Sequence, residues 1–384
     1  MLAALDSGSR ARIRPWQKLA QINWSMVLLV CLIASVGFVM LYSAAGGSLD
    51  PWASRQMVRF AVGLALMLGV AVIDLRLILR YAYLIYAGAL TLLIAVEIVG
   101  EIGMGAQRWI DLGFFQLQPS ELMKVALVLA LARYFHGLEI ESIGRILPLL
   151  PALLLVAMPA LLVLKQPDLG TAGMLIMGGG ALFFAAGVRI WKFAVLLASG
   201  LAAIPVAWNL LHDYQKNRVL TFLEPERDPL GSGYHILQSK IAFGSGGVFG
   251  KGDLLGTQSH LNFLPEKQTD FIFTMLAEEF GLVGALTLLL IYAVLIGYGF
   301  AIALRSRSHF GRLLALGLTF NLFLFVFINT AMVMGIIPVV GVPLPLISYG
   351  GTAMLTVLIG FGLIMSVYVH RDGRIGRYGL GEDS

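Results

Sequence analysis

Long apolar runs separated by short polar segments dominate the chain. A transmembrane helix needs about 20 consecutive apolar residues, and ten of these runs reach or approach that length. They lie at roughly 24–45, 57–73, 78–98, 120–136, 148–164, 170–187, 190–208, 271–304, 311–334 and 348–370. The pattern predicts an all-α polytopic membrane protein with about ten transmembrane helices.

Composition supports this fold class and excludes others. Of the 384 residues, 58% are hydrophobic and only 13% are charged, whereas a soluble domain carries about 25% charged residues. The net charge of +5 does not indicate nucleic-acid binding, because topology places Lys and Arg in membrane proteins. Cys31 is the single cysteine, so no intrachain disulfide forms, and the scattered histidines do not predict a zinc site.

The basic residues predict the orientation. With a cytoplasmic N-terminus, sixteen of the 27 basic residues fall in segments on the cytoplasmic side, as the positive-inside rule requires. They are Arg10, Arg12, Arg14, Lys18, Arg76, Arg80, Arg133, Arg145, Arg189, Lys192, Arg305, Arg307, Arg312, Arg371, Arg374 and Arg377. We therefore expect ten spans with both termini in the cytoplasm.

Four parts follow from this map. They are a cytoplasmic N-terminus with transmembrane helices 1–7 (1–208), a large extracytoplasmic loop (209–270), transmembrane helices 8–10 (271–370) and a cytoplasmic tail (371–384). Long loops of this kind are usually functional or disordered. Apolar residues within 235–243 predict a short amphipathic helix on the membrane surface.

A carboxylate stands where this loop enters the eighth span. Thr269 is a candidate helix cap, and a helix that included Asp270 would bring Thr274 and Glu278 within about 80° of it. Asp270 is either a carboxylate placed for chemistry at the outer face or one that satisfies amides in the first helical turn. Glu278 and Glu279 lie inside the span, where a structural ion pair would explain them.

A second polar cluster precedes the fourth span. It contains Arg108, Trp109, Gln118, Glu121 and Lys124. Glu121 and Lys124 are three residues apart, so a structural pair on one helix face explains them as well as a charged cavity does. Trp109 is equally consistent with an interfacial anchor.

A third set of residues interrupts the chain before the tenth span. Three prolines at 338, 343 and 345 prevent a regular helix across 329–354. Non-helical backbone at membrane depth must face protein or water, so this segment, with Ser348 near its end, is expected to line a cavity. Asp168, after Pro167, is a candidate N-cap of the sixth span.

Three motifs, in order along the chain, carry a family resemblance. They are "QPSELMK" at 118–124, "LPEKQTDFIF" at 264–273, and Asn329, Gly335, Pro338 and Gly341 followed by "LISYGGTA" at 346–353. With these motifs, nearly the whole chain resembles the SEDS family (shape, elongation, division and sporulation). The stretch "GKGDLLGTQSHLNFLPE" at 250–266 is similar to the elongation branch, RodA, more than to the division branch, FtsW.

The resemblance implies an enzyme, a peptidoglycan glycosyltransferase that polymerises lipid II into β-1,4 glycan by an inverting displacement, with undecaprenyl pyrophosphate leaving. The family's essential aspartate maps onto Asp270. A sugar hydroxyl needs a base, and a pyrophosphate leaving group needs cations rather than an acid. The residues expected to bind the substrate are Arg108, Trp109, Gln118, Glu121, Lys124, Arg218, Lys240 and Ser348.

The resemblance also implies surroundings for this enzyme. We expect it in the cytoplasmic membrane of a bacterium, with lipid II and undecaprenyl-linked glycan as ligands. Expected partners are a class B penicillin-binding transpeptidase, MreC and MreD. No nucleic-acid partner is expected. A divalent cation, Mg²⁺ or Mn²⁺, at the pyrophosphate is compatible with this chemistry, although no ligand cluster specifies one.

Two other functions fit the same spans. A lipid II flippase would also use ten helices with breaks and intramembrane charges. A non-catalytic scaffold of the elongation complex would leave Asp270 without a chemical task. Polar residues that cluster at the outer end, rather than along a path through the membrane, favour the polymerase.

Overall fold

The computed structural model describes most of the chain. The described residues are 15–103, 106–111, 113, 116–210, 216, 220, 224, 232–252, 254–256, 266–373 and 375–376. Arg218 and most of 209–231, within the predicted extracytoplasmic loop, lie outside them.

The described residues are mostly helical. The α-helices are α1 Pro15–Ala20, α2 Trp24–Ala44, α3 Ala53–Ala71, α4 Leu75–Val99, α5 Pro119–Gly137, α6 Ile140–Ile143, α7 Leu150–Lys165, α8 Leu169–Ala185, α9 Ile190–Leu210, α10 Ser232–Gly246, α11 Ile272–Arg305, α12 His309–Val333 and α13 Gly351–Val369. A single 3₁₀ turn, Leu147–Leu149, precedes α7.

Ten of these helices coincide with the ten predicted apolar runs. Within the described residues, seven are long and apolar enough to cross a membrane: α2, α3, α4, α7 with its preceding turn, α11, α12 and α13. Helix α8 is apolar but shorter, as is the apolar part of α9 over Ile190–Ala203, and α5 carries Glu121, Lys124 and Arg133. The predicted all-α membrane fold is confirmed, and the number ten remains approximate because these three helices fall short by length or by charge.

The loops lie at two opposite ends of the bundle because successive spans alternate in direction. At one end Lys18 Nζ lies 2.9 Å from His370 Nε2, and the Arg307 amide donates to Arg371 O at 2.9 Å. We call this the basic end. Its described cations are Lys18, Arg76, Arg80, Arg133, Arg145, Arg189, Lys192, Arg305, Arg307, Arg312 and Arg371.

A small antiparallel sheet, which the sequence analysis did not predict, lies at the opposite end. Its strands are β1 Glu101–Gly103, β2 Ala106–Asp111 and β3 Gln116–Leu117, in the order β1-β2-β3. In the register, Glu101 is opposite Trp109 and Ile110 is opposite Leu117. The sheet carries Arg108 and Trp109 on its central strand and leads directly into α5.

Helix α10 packs against α11 and α12. The Ser239 hydroxyl donates to Val333 O at 2.6 Å and lies 2.8 Å from the Thr274 hydroxyl. The predicted segment 235–243 therefore lies within a longer helix whose buried face contacts the bundle. After α10, Lys251 N donates to Glu278 O at 3.1 Å, where Gly281 (φ 66°) interrupts the regular geometry of α11.

Candidate active site

Between α12 and α13 the chain is irregular over 334–350, as the prolines predict. Two side chains fasten this segment to the residues before α11. Asn329 Nδ2 donates to Asp270 O at 2.9 Å and to Val342 O at 2.7 Å. The Ser348 hydroxyl donates to Thr269 O at 2.6 Å and accepts from Leu344 N at 2.7 Å.

Helix α2 supports the same segment from behind. A Cβ added at Gly37 would lie only 2.8 Å from Ile347 Cα, so glycine permits the close approach of α2 to this backbone. Gln56 of α3 also donates through Nε2 to Ser348 O at 3.0 Å. The irregular backbone is therefore fixed by packing and hydrogen bonds from three helices, α2, α3 and α12.

A cavity of about 340 Å³ opens at this end of the bundle. It is bounded by β2, the start of α5, the α7–α8 turn, the residues before α11 and the irregular segment. Its lining residues are Arg108, Trp109, Gln118, Pro167, Asp168, Glu266, Thr269, Asp270, Val339, Val340, Gly341, Pro343, Tyr349, Gly350, Gly351, Thr352 and Ala353. Residues from separate parts of the sequence thus meet in one concave surface.

Asp270 lies just before α11 rather than in its first turn. Phe271 is the N-cap of α11 and makes no side-chain capping bond, so the expectation that Thr269 caps this helix is wrong. The backbone of the irregular segment passes close to the carboxylate at Gly341, which has φ +70°. A Cβ added there would lie 3.4 Å from Asp270 Oδ2.

Burial raises the pKa of Asp270 to about 7, and the negative charges of Glu266 and Asp168 add to the shift. Each effect disfavours the carboxylate form, because burial removes hydration and like charges repel. A carboxyl group with this pKa is about half ionised at neutral pH. It is therefore suited to accept a proton during a reaction at that pH.

Arg108 supplies a positive charge to the same cavity. Its Nε and Nη2 donate to Gln166 O at 3.2 Å and to Pro167 O at 2.7 Å. Its Nη1 lies 3.9 Å from Asp168 Oδ2. The carbonyls of the α7–α8 turn therefore position the guanidinium, while 28% of the side chain stays exposed.

The motifs at this cavity match a known family. The family model described as "Cell cycle protein", which covers FtsW, RodA and SpoVE, matches residues 23–373. The chain belongs to the SEDS family.

Relatives and solved structures agree with this assignment. Peptidoglycan glycosyltransferase MrdB of Escherichia coli strain K12 is 46% identical over 363 residues, which cover 93% of this chain and 95% of the relative. RodA of Thermus thermophilus has a crystal structure with a TM-score of 0.69 at 31% identity, covering 91% and 97% of the two chains. A chain from a peptidoglycan synthase complex that coordinates polymerization and crosslinking has a TM-score of 0.80 at 35% identity, covering 91% and 98%.

Four of the predicted site residues of this SEDS protein line the cavity: Asp270, Arg108, Trp109 and Gln118. Glu121 and Lys124 lie elsewhere. Lys124 Nζ is 2.7 Å from Glu121 Oε1, and both side chains are almost fully buried. The ammonium also lies 4.0 Å from the centre of the Phe325 ring, so this geometry supports the structural pair rather than phosphate binding.

The other predicted ligands are also placed apart. Lys240 is exposed on α10 and does not line the cavity, and Arg218 lies outside the described residues. Ser348 is buried beneath the cavity wall, where it binds backbone atoms. Of the cations predicted to hold phosphate, Arg108 alone among the described residues reaches the cavity.

Sequence reasoning did not assign Asp168, Glu266 or Tyr349 to the cavity that they line. Asp168 caps α8 as predicted, because its Oδ1 accepts from Thr171 N at 3.0 Å, but it also lines the cavity. Glu266 and Tyr349 line it as well, and the Arg59 guanidinium lies 4.8 Å from the Tyr349 ring centre. Glu266 lies inside the motif "LPEKQTDFIF" and Tyr349 lies inside "LISYGGTA". These two motifs were the signal that could have identified both residues.

The cavity contains more acids than bases. Asp168, Glu266 and Asp270 line it together with one arginine. Within the described part of the chain, no group of three Asp, Glu, His or Cys side chains is arranged to hold a metal ion. A complete metal site made of protein ligands is therefore not formed there.

Proposed function

We propose that this SEDS protein is a peptidoglycan glycosyltransferase that polymerises lipid II into β-1,4 glycan strands during cell elongation. The observation that carries the proposal is a half-buried Asp270 whose pKa is raised to about 7 and which faces the same cavity as Arg108. The relatives named peptidoglycan glycosyltransferase support the assignment of the reaction.

Asp270 accepts the proton of the 4-hydroxyl of the GlcNAc of lipid II. The freed oxygen attacks C1 of the sugar that ends the growing glycan, and the bond from C1 to the diphosphate oxygen breaks. Undecaprenyl pyrophosphate leaves with the electron pair, and the α linkage becomes β through a single displacement. A positioned base of this kind contributes about 10²–10⁴-fold in rate.

Arg108 stabilises the charge that develops on the departing diphosphate. Its guanidinium is already oriented by two backbone carbonyls, so little reorganisation is needed during the reaction. A pyrophosphate next to Asp168 and Glu266 would nevertheless meet net negative charge. The described lining of the cavity therefore has too little positive charge to neutralise a pyrophosphate.

A divalent cation that arrives with the substrate would correct this imbalance. Mg²⁺ is typically bound through one or two carboxylates together with substrate phosphates and water, and the cavity offers Asp168 and Glu266 for that purpose. Bound there, Mg²⁺ or Mn²⁺ would neutralise diphosphate oxygens. Removing divalent cations with a chelator should abolish polymerisation, and adding either ion back should restore it.

The cavity faces the outside of the bacterial cytoplasmic membrane in this proposal. Support comes from its position at the end of the bundle opposite the basic end, since Lys and Arg concentrate on the cytoplasmic side. Lipid II presents its sugars at that outer face.

A class B penicillin-binding transpeptidase is the proposed partner, because one similar structure belongs to a complex that couples polymerization to crosslinking. MreC and MreD are proposed as further partners from the family resemblance. Exposed apolar helix faces are available for a single transmembrane helix of such a partner.

The test compares wild type, Asp270→Asn and Asp111→Asn, purified with the transpeptidase and supplied with labelled lipid II. Asp111 is a matched control because it is exposed in β2, where Oδ1 accepts from Gly113 N, a bond that asparagine retains. Wild type and Asp111→Asn should produce glycan chains, and folded Asp270→Asn should produce none. Normal polymer from Asp270→Asn would refute the assignment, and lipid II transfer across liposomes without polymer would favour a flippase.

A further inference from the structure

Helix α9 stands away from the bundle at the basic end. Its first turns contact the rest of the protein through Lys192 Nζ, which donates to Gly144 O at 3.2 Å, and through the Phe193 ring, which lies 6.3 Å from the Phe184 ring, among other contacts. Between α9 and the α7–α8 pair an apolar space of about 240 Å³ remains. We call this space the α9 cleft; it is lined by Leu149, Leu153, Phe183, Trp191, Phe193 and Leu196, among others.

The α9 cleft is open and apolar, so its occupant has to be identified. Its lining is apolar except for Lys192, and its volume is several times the roughly 30 Å³ that one water occupies. Water would find almost no hydrogen-bond partners there. Hydrocarbon from the surrounding bilayer is the chemically matched occupant.

Cations surround the mouth of the cleft. Arg145 and Arg189 are exposed, and the Arg189 guanidinium lies against Gly144, where an added Cβ would be 3.5 Å from Nη2. Lys192 Nζ also binds Arg145 O at 3.1 Å. The three basic side chains thus converge on one turn.

These cations lack carboxylate partners among the described residues, where no ion pair includes Arg145, Arg189 or Lys192. Trp191, 53% exposed, lies beside them, and tryptophan prefers the membrane–water interface. The mouth of the cleft therefore lies at headgroup depth and carries unbalanced positive charge.

We propose that the α9 cleft binds one anionic phospholipid of the leaflet at the basic end. An acyl chain fills the space between α9 and the α7–α8 pair, and the headgroup phosphate binds Arg145 and Arg189. Basic pockets between transmembrane helices bind anionic headgroups on the cytoplasmic side for the same electrostatic reason. The site is separate from the candidate active site, which lies at the opposite end of the bundle.

The test titrates delipidated full-length protein with phosphatidylglycerol or phosphatidylcholine and counts bound lipids by native mass spectrometry. The variants are Arg145→Ala/Arg189→Ala and, as a matched control, Arg305→Ala/Arg307→Ala, which removes two exposed cations from the same end without touching the cleft. Wild type and control should bind one phosphatidylglycerol in preference to phosphatidylcholine. The Arg145/Arg189 variant should bind it about 30-fold more weakly, since each basic residue near a membrane surface contributes about fivefold.

A third variant tests the apolar half of the site. Leu153→Trp should weaken phosphatidylglycerol binding by filling the cleft while leaving its charge intact. Equal weakening by the control pair, or equal binding of phosphatidylcholine by wild type, would overturn the proposal. So would retention of the bound lipid in both cleft variants, or its displacement by inorganic phosphate alone.

Discussion

At the scale of single residues, the environment of Asp270 controls both its ability to accept a proton and its effect on the stability of the fold. Burial and two neighbouring carboxylates raise its pKa to about 7, compared with 3.8 for an ordinary aspartate. The same shift means that ionised Asp270 destabilises the fold. The protonated side chain does not carry this penalty, so the stability associated with it is fully present below pH 3.8. That stability is lost progressively as pH rises from there through about 7.

Asp270→Asn should therefore stabilise the protein while it abolishes polymerisation. The variant should raise the apparent Tm in detergent by several degrees at pH 8, where wild type is ionised. At pH 5 the folded state holds Asp270 protonated while the unfolded state, with a pKa near 3.8, is already mostly ionised, so the Tm difference should be clearly smaller than at pH 8 but should not vanish. A Tm gain of the same size at both pH values would show that ionisation of Asp270 is not the cause.

Gly341 tests how closely the backbone must pass by the carboxylate. Gly341→Ala places a Cβ 3.4 Å from Asp270 Oδ2 at a φ of +70°, and the left-handed conformation costs a non-glycine residue about 1–2 kcal/mol. We expect more than a tenfold loss in polymerisation rate. Gly350→Ala is the control, because its φ of 177° suits any residue and its Cβ would lie 3.8 Å from Ala353 Cβ. Equal rates for the two variants would contradict this role of Gly341.

At the scale of elements, Asn329 of α12 connects the irregular segment to the residues before α11. In Asn329→Ala, Asp270 O and Val342 O lose their shared donor, and each unsatisfied buried carbonyl costs about 1–3 kcal/mol. Both the apparent Tm and the polymerisation rate should fall. Asn321→Ala, two turns earlier on α12, removes a bond to Lys124 O and should lower the Tm with a smaller effect on rate. A rate equal to wild type in Asn329→Ala would show that the tether does not position Asp270.

The segment after α10 is joined to α11 by an ion pair. Lys251 Nζ lies 2.8 Å from Glu278 Oε1, and the Glu278 side chain is fully buried. Lys251→Met should destabilise the protein and lower the Tm, because it removes this ammonium from a buried carboxylate. Lys240→Met, at an exposed position of α10, should change neither the Tm nor the rate. A large loss of rate in Lys240→Met would restore the predicted phosphate role of this lysine.

The helices were predictable from sequence because apolar runs leave few alternatives within a bilayer. The strands between α4 and α5 were not predicted, and for β1 and β3 the reason is their length of three and two residues, which is too short for an alternating pattern. The predicted start of the eighth span at 271 lies within one residue of Ile272, but the predicted cap at Thr269 was wrong. Thr269 resembles a helix cap, but its carbonyl is bound by Ser348, a tertiary contact 79 residues distant in sequence.

At the scale of the whole molecule, the two ends of the bundle differ in chemistry. The motifs correctly indicated that residues distant in sequence, such as Arg108, Gln118 and Asp270, lie close together. They did not reveal how deep each residue lies. Lys124 is only six residues beyond Gln118, but it is more than one helical turn into the bundle and is paired with Glu121.

Orientation follows from this asymmetry and can be measured with cysteine labelling. In a Cys31→Ser background, Lys240→Cys should react with a membrane-impermeant maleimide on intact spheroplasts. Arg305→Cys should react only after permeabilisation, because it lies at the basic end. The reverse pattern would invert the proposed topology and place the cavity inside the cell.

The dependence of polymerisation rate on pH tests the central claim most directly, namely that ionised Asp270 removes the proton from the sugar hydroxyl. The rate of the wild-type complex at saturating lipid II should rise with pH and reach half its maximum near pH 7. Glu266→Gln removes a charge that raises the pKa of Asp270, so its profile should shift to lower pH. A rate that is constant from pH 5.5 to 8.5, or an identical midpoint in Glu266→Gln, would contradict the account.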